Sequence, residues 1–299
     1  MFVSVILTTC NSPDWLAKVV CGYAAQSHRA FELVIADDGS TAETAACIDL
    51  LRRATDVELH HVWHAKRGFG KCRILNHAIR KATGDYLVFS DGDCIPRRDF
   101  LAQHVRLARR GHFLSGGVVR LPRPLSERIS WDDITLGRAF NPLWLLTHGM
   151  LPSRKLRLLL GTGRLAALAD AVWTTRATFN GHNASAWKVD VERVNGFDER
   201  MGYGGLDREL GERLVNAGVK PLPIRHRAAC VHLDHARDYC DAATVARNRQ
   251  IRQDTRSRKR DWTPFGMRQA ADWLRILGAE AADLPYADEV LYRPSRVTA

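Results

Sequence analysis

Acidic residues are scarce in this sequence relative to basic ones: 33 Asp+Glu stand against 44 Lys+Arg, a formal charge of +11. The imbalance favours polyanionic partners such as nucleotides, nucleic acid or an anionic membrane face, without choosing among them. Long apolar runs are missing as well. The most apolar stretch, 140–173, is interrupted by Pro142, Pro152, Arg154, Lys155, Arg157, Gly161, Gly163 and Arg164. It falls short of the roughly 20 apolar residues that a spanning helix needs. Paired cysteines are absent too. The seven, Cys10, Cys21, Cys47, Cys72, Cys94, Cys230 and Cys240, are odd in number and scattered, which excludes a secreted disulfide framework and fits a reducing cytosol. The opening Met1 to Leu7 has neither a basic leader nor a small-residue cleavage site, so it reads as a strand and not as a signal peptide. There is no internal repeat, no G-x-G-x-x-G after the first strand and no phosphate loop.

What is present is globular: 299 residues, 45% hydrophobic and 26% charged, enough to bury a sizeable core. Val3–Leu7 is apolar on both faces, as in a covered parallel strand. Helical spacing follows over 15–25, then a strand over 32–36, a helix over 41–54 and a strand over 57–63. A helix over 71–82 and a strand over 86–90 complete a βαβαβαβ run, whose ligand crevice is expected beyond the carboxyl ends of the strands. After Pro96 the pattern predicts a helix over 100–110 and a strand over 113–121. Further on come a helix over 206–217, a strand over 228–231 and a basic helix over 244–260, with a peripheral tail past Asp261. The expected division is an α/β half at 1–97, a second half of the same domain at 98–243 and a basic extension at 244–299.

Polar residues gather at the strand ends. Thr8, Thr9 and Asn11 close the first strand, and Asp37-Asp38-Gly39-Ser40 closes the second. A carboxylate there can accept the imide N–H of uracil and hydroxyls can meet ribose; the same four residues also make a tight turn with a helix N-cap. Ser90-Asp91-Gly92-Asp93 brings two carboxylates to one strand end. Such a pair repels unless a cation lies between them, and a hard divalent ion bridging to a diphosphate supplies it. A solvated turn is the alternative. His232 and His235 follow a strand and can complete a metal's coordination. A zinc set of Cys230, His232, His235 and Cys240 is disfavoured, because Cys230 and His232 share one strand face too closely. Gly204-Gly205-Leu206-Asp207 sets a carboxylate at a helix start behind two glycines, where it can be a general base or a helix cap. Lys66, Arg67, Lys71 and Arg73 border the crevice as candidate phosphate contacts.

Together the segments Val5–Asn11, Ala36–Ser40, Gly70–Asn76 and Phe89–Asp93, with Gly181–Ser185, Asn195–Glu199, Gly204–Leu210 and His232–His235, resemble family 2 inverting glycosyltransferases. The likeness is to those with a galactosyltransferase-like C-terminal part, and it extends over about 3–239. It implies the GT-A nucleotide-diphospho-sugar transferase fold, a Rossmann-like mixed sheet flanked by helices. The implied donor is a UDP-sugar held by Thr8, Thr9, Asn11, Asp37, Asp38, Lys71, Arg73, Asp91, Gly92 and Asp93. Mn2+ or Mg2+ is implied at Asp93 with His232 or His235, and Asp207 as catalytic base among the acceptor contacts Gly204, Gly205, Asp207 and Glu209. Relatives commonly carry Gly-Gly-Glu-Asp where this chain has Leu206 before Asp207. The implied acceptor is a saccharide or lipid-linked cell-surface glycan such as lipopolysaccharide or capsule. Work at the cytoplasmic membrane face fits the basic residues Arg154, Lys155, Arg157, Arg164 and 244–260. Two rival classes are a nucleic-acid-binding protein, which lacks a recognisable reading module, and a silent glycan-binding scaffold. No nucleic-acid partner is expected.

Overall fold

The computed structural model describes residues 1–160, 163–172, 177–236 and 240–268. Tyr239 and the part of the expected basic extension past 268 lie outside the described residues. The first strands in chain order are β1 (Val3–Thr9), β2 (Phe31–Asp37), β3 (Glu58–Trp63) and β4 (Tyr86–Asp91). They are joined by the helices Pro13–Ala24, Ala42–Ala54 and Lys71–Lys81. The expected alternation is present with boundaries shifted by a residue or two. Val3, Val5 and Leu7 pack into the core on one side of the sheet, with Tyr86 and Val88. Ile6 packs into the core on the other, with Val34, Leu87 and Phe89. Burial on both faces is why these strands read as continuous apolar runs.

β5 (Cys94–Pro96), β6 (His112–Ser115), β7 (Gly117–Arg120), β8 (Ala184–Trp187), β9 (Lys220–Pro223) and β10 (Ala229–His232) follow. The large sheet runs β3-β2-β1-β4-β8-β6-β9, with β8 antiparallel to β4 and to β6. Strand order reverses at β1, which lies between β2 and β4 in parallel register. A crevice opens at such a reversal. The register sets Thr8 beside Asp91 and Thr9 beside Asp37.

The strand expected over 113–121 is two strands in two sheets. β6 stays in the large sheet, while β7 joins a small one of order β5-β10-β7. Gly116 makes the break: a Cβ there would lie 2.0 Å from Asn183 Oδ1. Asn183 donates to the Gly117 and Ala228 carbonyls at 2.8 and 3.0 Å, tying the two sheets together. Apolar periodicity carries no trace of a buried amide of this kind.

The tail past Asp261 is not peripheral over its described part. Asn195 donates to the Thr263 carbonyl, Arg268 N–H donates to Asn195 Oδ1, and Met267 is buried in the core. The basic helix runs Ala242–Ser257 and packs on the helix Leu206–Asn216. Its Arg252 pairs with Glu212 at 2.6 Å, and Arg258 with Asp254 at 2.7 Å. Inside that contact Glu209 accepts two-pronged hydrogen bonds from Arg213, both side chains being 1% exposed, and a third from Thr255. Removing one partner of a buried pair strands the other charge. Glu209→Ala is therefore expected to lower folding stability by about 3–5 kcal/mol, read as a shift of the urea midpoint.

Candidate functional site

A crevice of about 1860 Å³ opens at the carboxyl ends of β1 and β4. Thr8, Thr9, Asp38, Lys71, Arg73, Asp91, Gly92, Asp93, Gly204, Gly205, Asp207, His232 and His235 all line it. The structure brings these expected residues together because the strand ends, the start of the Lys71–Lys81 helix and the start of the Leu206–Asn216 helix meet there.

At the β2 end the two aspartates part. Asp38 faces the crevice, with Oδ1 2.7 Å from His64 Nε2 and Oδ2 accepting from Lys66 Nζ at 2.8 Å and Gly70 N–H at 3.0 Å. Burial pushes the Asp38 carboxyl up, but the His64 and Lys66 hydrogen bonds outweigh it and hold the group below its usual range. Asp37 does not reach the crevice: it is buried, accepting from Ser40 N–H at 2.8 Å and lying 2.9 Å from His61 Nε2. One residue along a strand reverses the face, so only one of two adjacent carboxylates can point at a ligand. Asn11 does not line the crevice either. Its Oδ1 accepts from Thr41 N–H at 2.8 Å, and its own N–H donates to Ser40, which pins one loop to the next. Thr9 Oγ1 is buried without a hydrogen-bond partner.

Asp91 ends β4 with Oδ1 accepting from Thr8 Oγ1 at 2.7 Å and from Lys71 Nζ at 2.6 Å. Burial alone would raise its pKa; the Lys71 charge and hydrogen bond override this and hold Asp91 far below the ordinary carboxylate range. Lys71 is reciprocally raised: burial lowers it, but Asp91, Asp207 and Asp93 more than offset the loss of water. Gly92 N–H donates to the Thr8 carbonyl at 2.7 Å, and a Cβ on Gly92 would lie 2.7 Å from that oxygen. Only glycine lets the turn between the two aspartates lie so close to β1. Burial raises the Asp207 carboxyl, Lys71 opposes the rise and Asp91 adds to it. Asp207 Oδ1 is buried and lacks a hydrogen-bond partner. His182, unassigned in the sequence beyond its motif, lines the crevice. Burial pulls it down to about 4, against the attraction of Asp91, so its imidazole is neutral at pH 7.

Asp93 lies just beyond the strand end, with Oδ2 3.0 Å from His235 Nε2 and Oδ1 3.7 Å from His232 Nε2. The small sheet causes this, because β10 pairs His232 opposite Cys94. One ligand atom each from Asp93, Cys94 and His232 falls within 4.8 Å of the others. Burial, with Cys230 beside it, pushes the Cys94 thiol well up, so it offers no thiolate at neutral pH. A carboxylate with imidazoles suits a hard or borderline divalent cation such as Mn2+, and the residues therefore fit the implied group. Cys230 donates to the Gly117 carbonyl at 3.5 Å, and among the described residues it joins no candidate metal cluster.

The wall opposite is the glycine loop, where Gly204 and Gly205 adopt φ of +103° and +89°. Asn248, on the basic helix, donates to the carbonyls of Gly202, Tyr203 and Gly204 at 3.0 Å each. Arg247, Arg249 and Arg252 of that helix line the crevice too, a role that charge counting had left to membrane attraction. Glu209, expected among the acceptor contacts, points away into its ion pair with Arg213. Of the cations expected on phosphate, Lys66 is held by Asp38, Lys71 by Asp91, and Arg73 lies 3.7 Å from Glu199.

Residues 4–151 match the profile of Glycosyl transferase family 2. The putative teichuronic acid biosynthesis glycosyltransferase TuaG of Bacillus subtilis (strain 168) is 32% identical over 104 residues, 34% of this chain and 40% of that protein. The chain spans 40% or less of the curated relatives it matches. Among solved structures, the mannosyltransferase PcManGT from Pyrobaculum calidifontis in complex with GDP-Man and Mn2+ superposes with a TM-score of 0.55 at 24% identity. It covers 79% of this chain and 58% of that one. S. aureus TarS 1-349 in complex with UDP-GlcNAc gives a TM-score of 0.55 at 15% identity, over 80% of this chain and 60% of that one. At these identities the likeness is one of fold, and the fold is the GT-A fold.

Asn248 is buried and holds the glycine loop through its two amide N–H groups, shared among three carbonyls. Asn248→Ala is expected to speed amide exchange at 202–206 at least tenfold while the β1–β4 amides stay protected; unchanged exchange at the loop would show that it is held by other contacts.

Proposed function

We propose, from the match of residues 4–151 to glycosyl transferase family 2, a metal-dependent inverting enzyme. It moves a hexose or N-acetylhexosamine from a UDP-sugar to a hydroxyl of a growing cell-surface glycan, lipopolysaccharide or capsule. The observation that carries the reading is the gathering of Asp91, Asp93 and Asp207 in one crevice, with Lys71 2.6 Å from Asp91. A structural turn has no use for a third carboxylate aimed into a crevice. The teichuronic acid role in TuaG's name and the UDP-GlcNAc bound to TarS support the substrate class. The free cysteines support a reducing, cytoplasmic compartment.

In this mechanism Asp38, oriented by His64, Lys66 and Gly70, keeps lone pairs for the imide N–H of uracil. Thr9 Oγ1 supplies a further polar contact to the nucleoside. A bound Mn2+ or Mg2+, held by Asp93 with His232 or His235, supplies positive charge to the departing diphosphate. Asp207 accepts the proton of the acceptor hydroxyl as that oxygen bonds to the anomeric carbon; the bond from that carbon to the nucleotide diphosphate breaks on the opposite face and configuration inverts. Burial raises the Asp207 carboxyl, which suits its role as a proton acceptor, and Lys71 opposes that rise. Leu206, 5% exposed, leaves no carboxylate beside the base to hold a second acceptor hydroxyl.

Calorimetry with UDP-, GDP- and dTDP-sugars, each with Mn2+ and with chelator, is expected to give binding for UDP-sugars that chelator abolishes. No binding to any donor would overturn the reading. Asp207→Asn is expected to bind donor within about twofold and to lose about 10²–10⁴ in transfer rate, whereas Asp93→Ala loses metal-dependent donor binding; parental transfer in either would remove the assigned role. Lys71→Met takes away the cation that opposes the rise of Asp207, so the acid limb of kcat/KM is expected to move to higher pH. An acid limb left in place would free Lys71 from that role.

A further inference from the structure

Helix Gly163–Val172 is built inside out. Ala166 and Asp170 are its buried residues, and Asp170 is held by His226 at 3.0 Å and Arg227 at 2.7 Å. Leu165, Leu168 and Val172 are 75%, 62% and 67% exposed. They recur at i, i+3 and i+7, one face of a helix. A soluble surface helix normally does the opposite, and the buried Asp170 ion pairs fix the rotation that presents the leucines outward. The preceding turn Arg157–Leu160 buries Leu158 and Leu159 and leaves Leu160 68% exposed.

The charge of the flanking sequence has one sign. From Gly137 to Ala169 the sequence contains no Asp or Glu, while Arg154, Lys155 and Arg164 are exposed along the same stretch. An apolar row bordered by cations and free of carboxylates is complementary to an anionic lipid surface: leucines enter the acyl boundary and arginines meet headgroup phosphates. By contrast, the basic helix Ala242–Ser257, the other basic segment, faces the crevice and spends Arg252 on Glu212. The Arg157–Leu160 turn packs on β7, whose Val118 and Arg120 line the crevice.

We propose that the Leu165–Leu168–Val172 face, with Arg154, Lys155 and Arg164, docks the protein peripherally on an anionic membrane. This rests on the surface alone and not on the transfer chemistry.

The test is sedimentation of the full chain with vesicles of phosphatidylcholine alone, or of phosphatidylcholine and phosphatidylglycerol in equal parts, at low and high salt. Binding only to the anionic vesicles, weakened by salt, is the expected result. Leu165→Ser with Leu168→Ser removes apolar surface without changing charge and is expected to weaken partitioning at least tenfold. Arg154→Gln with Lys155→Gln is expected to weaken it about 25-fold, roughly fivefold per cation. All four side chains are exposed, so unchanged melting temperature and nucleotide binding accompany both losses. Equal sedimentation of parent and leucine variant overturns the proposal, as does a parent that stays in the supernatant. A concentration-dependent dimer that the leucine variant abolishes, without vesicle binding, assigns the face to a second copy of this chain instead.

Discussion

Three carboxylates, from the end of β4, the turn after it and the start of the Leu206–Asn216 helix, are drawn into one buried region, where they would repel one another. Lys71 is the compensating charge, at 2.6 Å from Asp91 and raised by all three. Its place at the first residue of the Lys71–Lys81 helix has a physical reason. The amino terminus of a helix cannot itself hold a cation comfortably, so the ammonium is directed away from its own helix and toward the strand ends. Much of the site follows from that one contact: Asp91 stays ionised, Thr8 has a fixed acceptor, and Asp207 is burdened by burial yet kept within reach of ionisation.

The small sheet performs a separate task. β10 lies antiparallel to β5 and parallel to β7, and this pairing, not proximity in sequence, brings His232 beside Cys94 and both histidines to Asp93. Asn183 locks the small sheet to the large one by bonding across Gly117 and Ala228. Strand ends therefore present Asp91 and Asp93, whereas Asp207 follows a glycine pair in left-handed conformation that Asn248 straps from outside. One wall of the crevice is thus built from sheet strands and the other from a glycine loop that Asn248 holds by its side-chain amide.

The basic charge of the chain is likewise divided by the fold. Lys66, Lys71 and Arg73 meet carboxylates of the crevice, and the arginines of the Ala242–Ser257 helix face the crevice or pair with Glu212 and Asp254. Arg154, Lys155 and Arg164 lie in a stretch of sequence lacking any acid, which also carries the leucines that the Asp170 ion pairs turn outward. Net charge of +11 thus has distinct local meanings, which no composition count could separate.

Local signals sufficed where the chain is locally consistent. The β1–β4 alternation, the Asp91-Gly92-Asp93 turn and the helix behind Gly204-Gly205 were legible, because burial on both faces leaves unbroken apolar runs and turns demand glycine. Tertiary contacts decided the rest. Asp37 and Asp38 are alike in sequence, yet alternation across β2 sends only Asp38 to the crevice. Glu209 sits one helical step from the site but turns into Arg213, and the single stretch 113–121 splits between sheets because Asn183 occupies the space above Gly116. The segment 262–268 looks like tail until Asn195 binds it. Each of these depends on a partner tens of residues away, or on the rotation of a helix about its axis, and neither is written in the spacing of neighbouring residues.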